Sequence, residues 1–258
     1  MLMEQRLPLP PLLAWIDIQY HIAFLKLGET MEKFSTIRKR AAHRKGGEKH
    51  LKALLSKPLS NKQLAKISDD EWLEEFTRKI FQSGFYWSVI NKKWPGFREV
   101  FWDFNIKKLL MMPPEMLEEK ASDERIVRNY NKVKTIPVNA SMIHFSNKDN
   151  DLSFNQFIAD WPVDDIVGLW AWLKKHGARL GGNTGPYTLR EMGKDTFLLS
   201  RDVEGYLRAH HIIDGGLQTK KSLSAAQEFF NEMQSQSGLS MQEISQIIAY
   251  SVGDNRDE

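Results

Sequence analysis

Apolar residues recur along most of the chain at intervals of three and four positions, the spacing that places side chains on one face of an α-helix. The clearest runs are residues 68–84 and 164–177, and each ends in a glycine, which is common just beyond a helix C-terminus. Residues 114–145 read as two helices with a break near Ser122. The chain is therefore predicted to be largely helical.

Two further features support an all-α fold. Ser68 with Glu71 and Ser240 with Glu243 have the spacing of capping boxes, which mark helix N-termini. Sustained alternation of apolar and polar residues is missing, and the best strand candidate, residues 195–200, is six residues long. We predict an all-α fold.

A short turn of small residues, "GGNTG", separates the helix that ends at Gly177 from a second helix in which Pro186 occupies the first turn. Glycines allow close approach of a partner, and the amides at a helix start favour an anion. A DNA phosphate is one candidate. The alternative is a tight corner between two helices that binds nothing.

Composition and charge restrict the chemistry further. The net charge is only +3, but residues 31–67 hold eleven Lys and Arg against two acids, a local charge of +9. Such a block suits a polyanion, and the alternative is a solvated arm without a partner. The chain has no cysteine, which excludes disulfides, thiolate catalysis and the usual cysteine zinc sites. This composition fits a reducing cytoplasm.

The first 30 residues differ from the rest. They are apolar, but Asp17, His21 and Lys26 interrupt them, so they make a poor membrane span, and they lack the features of a signal peptide. They are either a short appended helix or sequence upstream of a functional start at Met31, and we favour the second. The predicted division is an extension (1–30), a helical domain (31–252) and a polar tail (253–258).

Four segments in order along the chain, residues 81–105, 125–140, 165–197 and 222–238, resemble the DNA-3-methyladenine glycosylase I family. The resemblance runs from about Met31 to Val252. It implies the fold of a helix-hairpin-helix DNA glycosylase, with double-stranded DNA containing alkylated bases as the partner. We expect no cofactor, no membrane association and a monomer in the cytoplasm. We also expect no metal, because the Cys/His zinc site of the family's best-known members needs cysteines that this chain lacks.

Such enzymes flip a damaged base into an aromatic pocket and cleave its N-glycosidic bond with water. The resemblance places the family's stacking tryptophan at Trp87, and we expect Tyr86 and Trp94 in the same pocket. A cationic base over an indole gains roughly 0.5–2 kcal/mol. Phe85 and Trp170 are instead expected in the core, as most aromatic residues are.

The chain departs from the family at the position of the base-recognising glutamate, which is Lys79 here. Pairing with Glu75, one helical turn earlier, would offset this cation. Ser200 stands where many related glycosylases have a catalytic Asp, so Asp202 and Glu75 are the candidate catalytic carboxylates, with Glu74 a further candidate. Asp202 is equally suited to cap a helix.

The resemblance also implies contacts with the DNA backbone. The turn would present its amides to a phosphate, and cationic side chains would flank it. These residues are Gly181, Gly182, Asn183, Thr184 and Gly185, with Lys174, Lys175, Arg179 and Lys194 beside them. Arg125 and Arg128 are either further contacts or exposed helix charges.

The function expected from this resemblance is excision of alkylated bases, above all 3-methyladenine. The first alternative is a DNA-binding relative without turnover, which would gain support if no carboxylate reached the pocket beside Trp87. The second is an active glycosylase of shifted specificity, in which Lys79 contacts a neutral or anionic base edge.

Overall fold

The computed structural model describes residues 31–146 and 152–252, which form α-helices joined by short loops and two 3-10 turns. These two ranges contain no β-strand, so the predicted all-α class is confirmed. Residues 195–200, the best strand candidate, have no regular secondary structure. The predicted extension (1–30) and tail (253–258) lie outside the described residues.

The helices are short, and most consecutive ones are separated by only a few residues. In chain order they are α1 (Phe34–Arg44), α2 (Glu48–Leu54), α3 (Asn61–Leu64), α4 (Asp69–Gln82), α5 (Trp87–Val100), α6 (Ile106–Leu110), α7 (Pro114–Ala121), α8 (Tyr130–Val133), α9 (Thr135–Ser146), α10 (Phe154–Asp160), α11 (Ile166–His176), α12 (Thr184–Glu191), α13 (Arg201–Ala209), α14 (Lys220–Ser237) and α15 (Met241–Ser251).

Local signals in the sequence set several of these boundaries. Both predicted capping boxes form: the carboxylate of Glu71 accepts from the Ser68 amide at 2.8 Å, and that of Glu243 accepts from the Ser240 amide at 3.2 Å. The predicted break falls at Ser122, the C-cap of α7. Caps of this kind contribute about 1 kcal/mol each, so the starts of α4 and α15 are well determined locally.

The core around α4 fixes the position of its C-terminal end. Trp72 and Phe76 on α4 are fully buried and pack against Phe154 of α10, with ring centroids 5.9 and 6.1 Å apart. Burying a large apolar side chain of this kind contributes roughly 2–3 kcal/mol. Helix α4 also packs against α9 and α12.

Candidate active site

Three consecutive aromatic residues lie exposed between α4 and α5. Gly84 turns the chain after α4 with φ +78°, a value that favours glycine. Phe85, Tyr86 and Trp87 follow, with exposed fractions of 38%, 84% and 56%. Neighbouring exposed aromatic residues on a soluble domain commonly mark a binding surface. We call residues 83–87 the aromatic loop.

Charged side chains from two helices meet beside Trp87. The Nζ of Lys79, on the last turn of α4, lies 3.3 Å from Oε1 of Glu75 and 3.3 Å from Oε2 of Glu191, at the end of α12. The same Nζ lies 5.6 Å from the centroid of the Trp87 ring. The predicted pairing of Lys79 with Glu75 is confirmed. Glu75, Lys79, Tyr86, Trp87 and Glu191 are called the Trp87 cluster below.

The Trp87 cluster carries more negative than positive charge when both carboxylates are ionised. Burial raises the pKa of the Glu75 carboxyl, and the nearby cations Lys79 and Arg78 oppose this rise. Arg78 also lies 3.2 Å from Glu74, so its charge is shared between two carboxylates. A flat cation placed on the Trp87 ring would therefore meet an aromatic face and two carboxylates, Glu75 and Glu191, whose charge Lys79 and Arg78 neutralise in part.

The small-residue turn between α11 and α12 forms a compact hairpin. Gly182 has φ +61°, and a Cβ on Gly185 would lie 2.6 Å from the carbonyl oxygen of Leu180, so both positions favour glycine. Thr184 and Gly185 donate their amides to carbonyl oxygens within the turn. Within the described ranges, the amides of the three preceding residues, 181–183, have no backbone acceptor. An anion at the hairpin would meet these three.

The cations predicted to flank the hairpin separate into two groups. Lys174, Lys175 and Arg179 are exposed beside the turn. Lys194 is buried instead, and it donates to the carbonyl oxygens of Ala159 and Trp161. Burial lowers the pKa of Lys194 to about 8. Its expected place beside a phosphate is therefore corrected: Lys194 ties the segment after α12 to the end of α10.

Two aromatic predictions are also corrected. Trp94 was expected in the pocket, but it is only 5% exposed, and its ring stacks against Phe97 and Phe104 at 4.9 and 5.6 Å. Its indole N–H donates to Glu74 at 2.7 Å. Trp94 lies two helical turns beyond Trp87 on α5, where the side chain is buried in the core. Phe85, expected in the core, is exposed in the aromatic loop.

Asp202 lies apart from the Trp87 cluster, on the first turn of α13. Ser200 caps this helix by accepting the Val203 amide at 3.4 Å. Asp202 lines a cleft of about 470 Å³ with Arg201, Tyr206 and His210, among others. None of the residues lining this cleft belongs to the Trp87 cluster.

The two arginines predicted between α7 and α8 differ in environment. Arg125 is paired with Asp123 at 2.6 Å and with Glu99 at 3.2 Å, which accounts for it as an exposed charge in the turn between α7 and α8. Arg128 lines a separate cleft with Glu118 and Tyr130.

Two residues of this region were missed by reasoning from the sequence. Glu191 reaches Lys79 across 112 positions of sequence, and no local pattern signals such a contact. Lys132 lies buried beneath the aromatic loop, with its Nζ 4.5 Å from the Phe85 ring. No local pattern signals this burial either, because Arg128, Asn129 and Thr135, which lie three or four positions from Lys132, are polar.

The described part of the chain gives no sign of a metal centre or a membrane span. In residues 31–146 and 152–252, no three His, Asp or Glu side chains converge as metal ligands would. Over the same residues, every helix is too short or too polar to cross a bilayer.

Comparison with known families finds a match that covers part of this site. The family model for methyladenine glycosylase matches residues 63–167, a range that holds α4, the aromatic loop and α5. The resemblance to this family is thereby confirmed for residues 63–167. The hairpin after α11 lies beyond the matched residues. No curated protein sequence matches the chain.

Solved structures give more distant likenesses. A 3-methyladenine DNA glycosylase I is 23% identical over 48% of this chain and 78% of its own, with a TM-score of 0.41. A mutant of the 3-methyladenine DNA glycosylase I from Staphylococcus aureus is 18% identical over 49% and 77%, with a TM-score of 0.42. The 8-oxoguanine glycosylase/lyase of Methanocaldococcus jannaschii, in complex with DNA, is 16% identical over 83% and 96%, with a TM-score of 0.47.

Proposed function

We propose that this protein is a monofunctional DNA glycosylase that excises alkylated bases, with 3-methyladenine as the main substrate. The observation that carries the proposal is the Trp87 cluster, in which an exposed indole lies beside a lysine held by two carboxylates. The cluster's α4 and aromatic-loop residues lie inside the segment that matches the methyladenine glycosylase family.

The charge of the lesion fits this cluster. A 3-methylated adenine is cationic in DNA, and an indole face attracts a cation by roughly 0.5–2 kcal/mol. Glu75 and Glu191 extend that attraction beyond the ring. Lys79 opposes it, but the two carboxylates already hold the lysine's charge, so the site as a whole favours a cation over a neutral base.

Cleavage of the bond to a cationic base needs few catalytic groups, because the base does not have to be protonated before it leaves. When the bond between C1′ and the base nitrogen breaks, its electrons stay with the base, which leaves as neutral 3-methyladenine. Water adds to C1′ and gives up a proton. Positive charge develops on the sugar during this step, and an ionised Glu75 is the carboxylate we assign to stabilise it. Asp202, in the cleft on α13, is the second candidate.

The hairpin supplies the contact with the DNA backbone in this proposal. The amides of Gly181, Gly182 and Asn183 would bind one phosphate, and the exposed Lys174, Lys175 and Arg179 would add charge around it. Binding should accordingly weaken steeply as the salt concentration rises.

The test is release of free 3-methyladenine from methylated duplex DNA. Trp87→Ala should reduce the release rate by about 100-fold, because the base loses both stacking and alignment. Phe145→Ala is the matched control, since Phe145 is exposed to a similar extent on α9. It should leave release unchanged.

The binding-only alternative predicts a different result. Wild-type protein would then bind duplex DNA with the same salt dependence but release no base. Equal release by Trp87→Ala and wild type would instead show that another pocket carries the reaction.

A further inference from the structure

Lys132 is buried beneath the aromatic loop and bonded to its backbone. It lies on α8, and its Nζ donates to the carbonyl oxygens of Phe81 at 3.2 Å and Ser83 at 2.5 Å. The same ammonium lies 4.5 Å from the ring of Phe85. One side chain therefore holds the end of α4 and the start of the loop that carries Trp87.

Lys132 bonds backbone carbonyl oxygens rather than a carboxylate. In the described ranges no carboxylate lies within ion-pair distance of Lys132, and burial, with Arg179 nearby, lowers the pKa of its ammonium. The last carbonyls of a helix have no partner within the helix, and the helix dipole favours a cation there. Lys132 satisfies these carbonyls, and the Phe85 ring covers it.

Asn139 makes the equivalent contact with the hairpin. It is fully buried on α9, and its side chain bonds both backbone groups of Ala178. The Ala178 amide donates to Oδ1 at 2.7 Å, and Nδ2 donates to the Ala178 carbonyl at 3.2 Å. Ala178 directly precedes Arg179, whose φ of +60° begins the turn.

These two contacts lie on one continuous piece of structure. Helix α9 starts two residues after α8 ends, and Lys132 and Asn139 are seven residues apart, which is about 10 Å of helical rise. The segment Tyr130–Ser146, here called the strut, thus touches the aromatic loop near one end and the hairpin further along. Among the residues described, these are the strut's side-chain hydrogen bonds to either element.

We propose that Lys132 and Asn139 are positioning residues, and that the strut sets the distance between the hairpin and the Trp87 ring. The inference rests on the proposed function: a duplex anchored at the hairpin must deliver its flipped base to Trp87. Neither side chain touches the base. Lys132 sets the position of the Trp87 ring, and Asn139 sets the position of the hairpin amides that would bind a phosphate.

This division of roles predicts two different defects. Loss of the Lys132 ammonium frees the aromatic loop but leaves the hairpin in place, so duplex binding survives while flipping and excision fail. Loss of the Asn139 amide frees the hairpin, so duplex binding fails while a base that does reach the pocket is still excised. A purely structural role would lower both quantities together, in step with stability.

The experiment compares Lys132→Met and Asn139→Leu in the full-length protein, with the melting temperature of each variant recorded. Both replacements keep the approximate side-chain length and remove the hydrogen bonds. Lys134→Met and Asn131→Leu are matched controls, because both positions are exposed on the same segment. Three quantities are measured: duplex affinity at several salt concentrations, flipping reported by 2-aminopurine fluorescence, and single-turnover release of 3-methyladenine at saturating enzyme.

For Lys132→Met we expect an affinity within about twofold of wild type, with flipping and single-turnover release reduced about tenfold or more, since small misplacements of a binding group cost that much. For Asn139→Leu we expect an affinity about fivefold weaker or more with a shallower salt dependence, and release at saturation within about threefold of wild type. Both controls should match wild type.

Three outcomes would overturn the proposal: parallel losses of affinity and release in both variants, losses that follow melting temperature alone, or a Lys132→Met variant no worse than Lys134→Met. If Lys132→Met does not fold, Lys132→Gln, which keeps one donor, takes its place and should fall between wild type and the expected defect. Should wild type release no base, the glycosylase proposal fails, while affinity and flipping still test the strut.

Discussion

Two clusters of titratable side chains stand out in this molecule, and they differ in how completely their charges are satisfied. The Trp87 cluster has one lysine shared by two carboxylates beside an exposed ring. The second cluster joins Glu32 and Arg40, before and on α1, to Tyr206 and His210, on and just after α13, and we call it the Tyr206 cluster. There Glu32 accepts two bonds from Arg40, at 2.7 and 2.9 Å, and one from the Tyr206 hydroxyl at 3.0 Å.

The electrostatic consequences are opposite. The hydrogen bonds from Arg40 hold the pKa of Glu32 below its usual range, whereas burial raises the pKa of Glu75. A carboxylate with a full set of donors is stabilised as an anion and has little left to offer a ligand. A buried carboxylate with an incomplete set is costly, and such groups are concentrated at functional sites. The comparison assigns chemistry to the Trp87 cluster and stability to the Tyr206 cluster.

The largest expected effect comes from neutralising Glu75, and it is compared with neutralising Asp202 near the other cluster. Glu75→Gln should lower the rate of 3-methyladenine release by about 100-fold, since it removes the charge that stabilises the developing cation on the sugar. Asp202→Asn, in the cleft beside Tyr206, should stay within about twofold of wild type. A larger loss in Asp202→Asn than in Glu75→Gln would reverse the assignment.

The same variant has a signature in the pH profile. Only the ionised form of Glu75 can stabilise positive charge, and burial raises its pKa, so release should decline as pH falls through that raised value. The acidic limb should therefore lie at a higher pH than an ordinary glutamate would give. Glu75→Gln should lack this limb.

Some features of these clusters could be predicted from the sequence. Helix periodicity and capping spacings predicted the all-α fold, the ends of α4 and the start of α15, because those signals are local. The pairing of Lys79 with Glu75 was also predictable, since residues four apart on a helix are neighbours. Each of these inferences needed only the geometry of a single helix.

The errors arose where packing between distant segments decides the outcome. Trp87 and Trp94 are seven residues apart and lie on similar sides of α5, yet only the first is exposed. The periodicity of one helix cannot show that neighbouring segments cover its later turns. Lys194 and Glu191 illustrate the same limit, because their partners lie 33 to 112 positions away in sequence.

A smaller effect is expected from replacing Lys79, and it should appear as a change in preference between a cationic and a neutral base. Lys79→Met removes a cation that lies 5.6 Å from the centroid of the Trp87 ring, which should favour a cationic base over a neutral one. The gain is about 1 kcal/mol, or roughly fivefold in the ratio of 3-methyladenine to hypoxanthine release, for charges separated by several ångströms near solvent. Lys92→Met, an exposed lysine on α5, is the control.

The measurement for Lys79→Met is best made on the alkaline side of neutrality. Without Lys79, the pKa of Glu75 should rise further, because a cation that opposes the effect of burial is gone. At acidic pH this would mask the gain. A ratio that falls in the variant would instead support a glycosylase whose Lys79 donates to the edge of a neutral base.

The smallest effect is expected in the Tyr206 cluster, and it should appear in stability alone. Tyr206→Phe removes one hydrogen bond to Glu32 and should lower the free energy of unfolding by about 1 kcal/mol in urea denaturation. Tyr250→Phe, a partly buried tyrosine near the end of α15, is the control. Base release should remain within about twofold of wild type if the cluster has no part in the chemistry.

The sign of the pH dependence makes this last prediction specific. The folded-state pKa of Glu32 is lowered, so its stabilising effect is fully present above the ordinary glutamate pKa and is lost as pH falls through the lowered value. The difference in unfolding free energy between wild type and Tyr206→Phe should thus shrink on acidification. A difference that stays constant with pH would mean that the Tyr206 hydroxyl stabilises the fold independently of Glu32. A loss of base release in Tyr206→Phe would contradict the assignment of catalysis to the Trp87 cluster and of stability alone to the Tyr206 cluster.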